Sequence, residues 1–152
     1  MFKWATAFNK NEFECDIFSP NRNVRCHLAL DKGQANYSVY KNDKIIIKPS
    51  NLGFLICGEK PFTSLKLVRK ISKTHAETFE LPWGEDRFID NNYSETVFFF
   101  AEQKTPQRIF TLRFRIFDDG VAFRYEIPPQ LKFSQITIQD ELTEFNLMVM
   151  EP

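Results

Sequence analysis

Charge imbalance is absent from this sequence: 20 Lys and Arg stand against 20 Asp and Glu, a formal net charge of zero. That removes the electrostatic argument for nucleic acid or an anionic membrane as partner, since both are recruited by surplus cations. Only two histidines occur, His27 and His75, and neither has a nearby serine or cysteine in a nucleophile-like context, so no catalytic triad is expected. The three cysteines, Cys15, Cys26 and Cys57, form no CxxC pair and no cluster with histidine, which argues against zinc. Cys15 and Cys26 could be bridged on neighbouring strands, but the odd count leaves one thiol over, and buried free cysteine is the simpler expectation. Gly53 and Gly58 make no phosphate-binding loop. No apolar run approaches the ~20 residues of a membrane helix. The opening Met1 to Asn9 is too short and polar for a complete secretory signal, so the chain as written carries no address and its localisation is unknown. Missing too is any 3.6-residue apolar period long enough for a stable helix.

Phenylalanine is abundant instead, 17 residues in a chain of 152 that is 43% hydrophobic, enough for one domain with a real core and weighted towards sheet. The clearest element is the stretch from Arg108 to Pro128. Phe110, Leu112, Phe114 and Ile116 alternate with Thr111, Arg113 and Arg115, and after Asp118-Asp119-Gly120 the alternation resumes with Val121, Phe123, Tyr125 and Ile127. A type I′ turn at Asp119-Gly120 is expected, with Ile116 facing Phe123, Phe114 facing Tyr125 and Arg113 facing Glu126. Further strands are expected over 12–18, 24–30, 35–40, 44–48 and 52–56, then polar edge strands or a projecting arm over 65–71 and 74–81. Tyr93 to Ala101 is apolar on both faces, as a central strand would be. Lys132 to Gln139 and Glu144 to Met150 close the list. Residues 1–11 carry no period and are expected to be irregular, leaving 12–152 as an antiparallel β-sandwich domain.

Three constellations could carry chemistry. Asp140, Glu141 and Glu144 could share a cation or act as an acid/base pair, but a solvated turn is the plainer reading. Trp83, Glu85 and Arg87 could form a sugar platform, an indole to stack on a pyranose beside groups that hold hydroxyls. The alternative is a Trp plugging one end of the sandwich. Arg113, Arg115 and Arg124 form a basic stripe that either pairs with carboxylates such as Glu126 or binds a ligand.

Four blocks in order carry a resemblance: Ser50-Asn51-Leu52-Gly53, Trp83-Gly84-Glu85, Asn91-Asn92-Tyr93, and the run from Phe114 through Asp118-Asp119-Gly120 to Tyr125. Together they resemble the N-terminal domain of glycoside hydrolase family 97, across roughly Cys15 to Leu147. The resemblance implies an all-β fold, an antiparallel super-sandwich similar to galactose mutarotase, of which this chain holds the first part. It implies a separate catalytic (β/α)8 barrel of α-glucosidase or α-galactosidase type, with calcium in its active site. The sandwich lends that site one glutamate, from a segment past Pro152, so no metal or catalytic residue is expected in this chain and it is expected to be inactive alone. Family members are usually exported to the periplasm or beyond. Trp83, Glu85, Arg87, Asn91 and Asn92 are the residues expected to face carbohydrate or the barrel. Two other readings stand beside this one: a stand-alone carbohydrate-binding module, and a structural remnant that forms a homodimer through an open sheet edge.

Overall fold

A computed structural model describes residues 12–83, 87–105, 107–131 and 133–149. Twelve strands and no helix occur among the described residues. The first four, β1 (Phe13–Phe18), β2 (Val24–Asp31), β3 (Gln34–Lys41) and β4 (Lys44–Asn51), form an antiparallel meander. After β5 (Phe54–Ile56), a long β6 (Leu65–His75) leads to a short pair, β7 (Thr78–Glu80) with β8 (Phe88–Asp90). The second large sheet runs in the order β11 (Val121–Glu126), β10 (Ile109–Phe117), β9 (Tyr93–Glu102), β6. β12 (Ile138–Glu141) pairs with β5. The expected antiparallel sandwich is therefore present. The irregular segment expected at residues 1–11 lies outside the described residues.

Alternation explains the layers. Val24, Cys26, Leu28 and Leu30 point from β2 towards Phe110, Leu112, Phe114 and Ile116 of β10, and all eight are buried in one cluster. Phe98 and Phe100 add the inner face of β9. Aromatic rings meet edge-on or tilted across the interior, Phe54 on Phe110 at 5.6 Å and Tyr37 on Phe123 at 5.3 Å, the geometry that ring quadrupoles favour. As expected, β9 is interior to its sheet and polar β6 lies at the edge, where charge is tolerated.

The turns differ from expectation in one respect. Type I′ geometry, with both loop residues at positive φ, occurs at Lys32-Gly33 and at Asn42-Asp43, which close β2–β3 and β3–β4. The β10–β11 hairpin instead loops at Asp118-Asp119, with the Phe117 N–H bonded to the Gly120 carbonyl at 2.8 Å. Its register is Ile116↔Val121, Phe114↔Phe123 and Leu112↔Tyr125, two residues from the expected pairing. A slip of two preserves which face each side chain occupies, so the hydrophobic pattern cannot distinguish the two registers. A long-range contact favours the observed one: the Asp118 carboxylate accepts from the Asn21 N–H at 2.9 Å, holding Asp118 in the loop.

Two expected C-terminal strands are also shorter than anticipated. Of the first, expected over 132–139, only Ile138 and Gln139 lie in β12, which continues through Asp140 and Glu141, residues expected in a turn. The second, expected over 144–150, is an irregular ribbon along the outer edge of β4, with Lys48 N–H donating to Asn146 O and Met148 N–H donating to Ile46 O, both at 2.9 Å. Pro49 lies within β4 and cannot donate there, which an edge position tolerates.

Candidate functional site

The β7–β8 arm begins where β6 ends. Thr78 pairs with Asp90, Phe79 with Ile89 and Glu80 with Phe88, and the Leu81 N–H bonds to Arg87 O at 2.8 Å. Nearly every residue of the arm is exposed. Trp83 lies at its tip with 85% of its surface open. The indole therefore plugs no end of the sandwich. Beneath it, Arg87 Nε donates to Glu80 Oε1 at 2.6 Å, and its guanidinium lies 5.5 Å from the Phe88 ring centroid. Glu85 lies outside the described residues.

Asn91 and Asn92 do not join Trp83. They clamp the base of the arm: the Asn91 N–H donates to Glu77 O at 2.7 Å, and Asn92 Oδ1 accepts from the Glu77 N–H at 3.2 Å. Four rungs of ladder separate base from tip, about 13 Å at the usual strand rise. The sequence motif thus divides into a presenting end, Trp83 with Arg87, and a positioning end, Asn91 with Asn92.

The basic stripe is occupied by carboxylates. Glu95, on the outer face of β9 with only 1% of its side chain exposed, accepts from Arg113 Nη1 at 2.8 Å and Arg115 Nε at 2.7 Å, and lies 3.1 Å from Lys73 Nζ. Burial pushes the Glu95 carboxyl up, but hydrogen bonds from Arg115 and Lys73 and the charge of Arg113 outweigh it and hold it below the usual carboxylate range. Glu126 accepts from Arg113 Nε and Arg124 Nε at 2.7 Å each. The Arg113 bond lowers the Glu126 carboxyl against the cost of burial, and with help from Arg124 and Thr111 it falls to about 2. Arg113 and Glu126 still meet, as diagonal neighbours across the shifted register.

A second buried pair was not expected from the sequence. Glu102 and Arg108, 4% and 3% exposed, bracket the β9–β10 connection, with Nη2 to Oε1 at 2.6 Å and Nε to Oε2 at 2.8 Å. Arg108 also donates to Lys60 O at 2.8 Å and Pro61 O at 3.2 Å, and stacks 4.2 Å from the Phe62 ring centroid. Burial raises the Glu102 carboxyl, and bonds from Arg108 and the Thr63 N–H more than reverse this. A charge in a loop reads as solvated, so only the Glu-x5-Arg spacing across a turn hinted at the pair.

The acidic cluster does not fit a shared cation. Asp140 Oδ1 accepts from the Glu141 N–H at 2.9 Å, Glu141 Oε1 accepts from Thr143 Oγ1 at 2.8 Å, and Glu144 Oε2 accepts from the Asn51 N–H at 3.0 Å. The three carboxylates serve three different backbone or side-chain partners, and no group of three potential ligands converges among the described residues. Glu144, its carboxyl lowered by the Asn51 backbone bond, instead rims a cavity of about 290 Å³ that also holds Gln34, Asn51 and Gly53. This brings the Ser50-Asn51-Leu52-Gly53 block against the C-terminal ribbon.

Comparison with known proteins agrees with this architecture. The family described as glycosyl-hydrolase 97 N-terminal matches residues 17–151. A probable retaining alpha-galactosidase of Streptomyces bingchenggensis (strain BCW-1) is 30% identical over 105 residues, 69% of this chain and 16% of that protein. Among solved structures, a glycoside hydrolase family 97 enzyme of Pseudoalteromonas sp. strain K8, solved with panose and with acarbose, superposes with a TM-score of 0.82 at 30% identity over 88% of this chain. A beta-arabinopyranosidase shares the fold, at 20% identity and a TM-score of 0.79. This chain spans only about a fifth of the enzymes it matches in structure, 20% and 21% of their length. The chain belongs to the N-terminal domain family of glycoside hydrolase family 97.

Proposed function

We propose that this chain is the non-catalytic sandwich module of a family 97 α-glycosidase, working beside a separate (β/α)8 barrel that performs the hydrolysis. The domain is taken as residues 12–152. The observation that carries this reading is the fate of the carboxylates on the second large sheet, two of them buried and one half-buried. Glu95, Glu102 and Glu126 are each held ionised by arginine, whereas a glycosidase acid must stay protonated and free to reach the glycosidic oxygen. The module's part is to present the β7–β8 arm. Asn91 and Asn92 fix its base, and Trp83, with Glu85 and Arg87, meets the α-linked glucoside or galactoside or the rim of the barrel that holds it. The calcium that the family resemblance implies would be held by the barrel; Asp140, Glu141 and Glu144, each turned to a different partner, do not fit it. The expected result is no release of p-nitrophenol from p-nitrophenyl α-glucoside or α-galactoside by the isolated chain. Turnover above a heat-killed control overturns the reading.

A stand-alone carbohydrate-binding module is the second reading, favoured by one observation, the 85% exposure of Trp83 on a hydrogen-bonded arm. Titration with maltose and with galactose, followed by tryptophan fluorescence, separates the two. A saturable change that disappears in Trp83→Ala supports the binding module, and a flat titration leaves the arm to the barrel interface.

A further inference from the structure

The bulge in β6 has a chemical consequence. Leu67 stands opposite Phe100 and Arg69 opposite Phe99, so Val68 is an extra residue between two rungs of the ladder. Simple alternation from Leu67, which packs on the core, would send Lys70 outward. The added residue reverses the phase. Lys70 stands opposite Phe98, a fully buried core residue, and so shares its inward face. Arg69 takes the outer face, 5.8 Å from the Phe99 ring centroid.

β1 meets this lysine from the other sheet. Phe13 packs on Phe98 with ring centroids 5.8 Å apart, and Cys15, two residues on, has the same inward face and packs on the same core. Lys70 Nζ donates to Cys15 Sγ at 3.5 Å, and the thiol is directed at the Asp16 carbonyl, 3.8 Å away. Among the described residues no carboxylate pairs with Lys70. An inward lysine on an edge strand guards against strand pairing, but a guard has no need of a sulfur. The contact lies between the two sheets and depends on neither edge being open.

We propose that Cys15 and Lys70 form an oxidation-dependent clasp, a sulfur–nitrogen bond that joins the two sheets, with a peroxide as the oxidant. The Cys15 thiolate attacks one peroxide oxygen and the O–O bond breaks. The sulfur becomes a sulfenic acid, and the second oxygen leaves as hydroxide and takes up a proton to become water. Sulfenic acids condense with a nearby nitrogen to sulfenamides. Here the unprotonated Lys70 amine attacks the sulfur, the S–O bond breaks, and the oxygen leaves as water with one amine proton. The sulfur is oxidised by two electrons and the peroxide is reduced by two. Thiol, amine and peroxide thus yield one sulfenamide and two waters, and a thiol reductant reverses the bond. The clasp closes a stretch of chain between residues 55 apart in sequence. This inference does not rest on the glycosidase reading, and either can fail without the other.

The test uses the full chain carrying Cys57→Ser, which removes the exposed thiol and leaves Cys26 buried. It is treated with hydrogen peroxide at about pH 9, where a lysine amine has an unprotonated fraction. The expected product is lighter than the parent by two hydrogens, and digestion with tandem mass spectrometry finds Cys15 joined to Lys70. Dithiothreitol returns it to the parent mass. Lys70→Arg keeps the positive charge at the edge but offers no deprotonated amine, so the cross-link is lost and Cys15 proceeds to sulfinic acid, heavier by two oxygens. The parent unfolded in urea is expected to give that same sulfinic product, because the contact is gone. Native protein in which Cys15 becomes sulfinic acid beside an unmodified Lys70, joins a different amine, or survives unoxidised overturns the proposal.

Discussion

Glu102→Gln isolates the most committed ion pair in the molecule. The substitution keeps the shape but removes the charge facing Arg108, which is 3% exposed, and leaves Glu59, at 3.7 Å, as an acidic neighbour. Breaking one partner of a buried pair typically costs about 3–5 kcal/mol, because the remaining charge stays desolvated. Here the carbonyls of Lys60 and Pro61 still accept from the guanidinium, and glutamine retains one oxygen, so the lower end, about 3 kcal/mol, applies. For a domain of this size that corresponds to a fall in Tm of about 6–12 °C by differential scanning calorimetry. The double variant Glu102→Leu/Arg108→Leu removes both charges and should recover most of the loss, to within about 1 kcal/mol of the parent. A single variant that melts within about 1 °C of the parent, or a double variant less stable than the single, refutes the claim that the pair is desolvated in the folded state.

Acid should weaken the fold for a related reason. Glu95, Glu102 and Glu126 all titrate below the ordinary carboxylate range, so their contribution is present above the unfolded value and is lost as pH falls through the folded one, about 2 for Glu126. The urea midpoint should drop steadily below the unfolded Glu range of about pH 4.5, and a flat midpoint down to about pH 3 contradicts this. The thiols should separate by burial: Cys57 is exposed and reacts first with Ellman's reagent, whereas Cys26, whose thiol is pushed up by burial, reacts only on unfolding. Two fast-reacting groups in addition to Cys57 in the native protein would refute it. Gly33→Ala combines a positive φ of 78° with a Cβ only 2.6 Å from Ser64 Cα, so a loss of about 1–3 kcal/mol in urea denaturation is expected, and an unchanged midpoint would show that the turn can relax.

Much of this architecture was legible because burial writes itself into a two-residue period. The inward faces of β2 and β10 can be read directly as Val24, Cys26, Leu28, Leu30 and Phe110, Leu112, Phe114, Ile116. The hairpin register was not, since a two-residue slip leaves that period unchanged, and the deciding bond comes from Asn21, 97 residues away. Glu95 was hidden in a run that reads as wholly apolar, and only the three cations converging on it explain how a carboxylate sits there. An edge strand or a projecting arm was expected over 65–71 and 74–81; instead Leu65–His75 is one continuous edge strand, and the arm pairs Thr78–Glu80 with Phe88–Asp90. Trp83 and Asn91 are neighbours in sequence order, yet the ladder between them holds them at opposite ends, a separation that a linear motif cannot express.

The ribbon along β4 has a consequence for biogenesis. Ser50 and Pro49 receive their partner Asn146 only after 96 or 97 further residues have been made. At about 5–20 residues per second, the flank of the nascent meander stays uncovered for roughly 5–20 seconds of synthesis. Until the ribbon emerges, Ile46 and Ile47 offer a sticky border to any neighbouring nascent chain, so translation speed between the codons of Ser50 and Asn146 bears directly on yield.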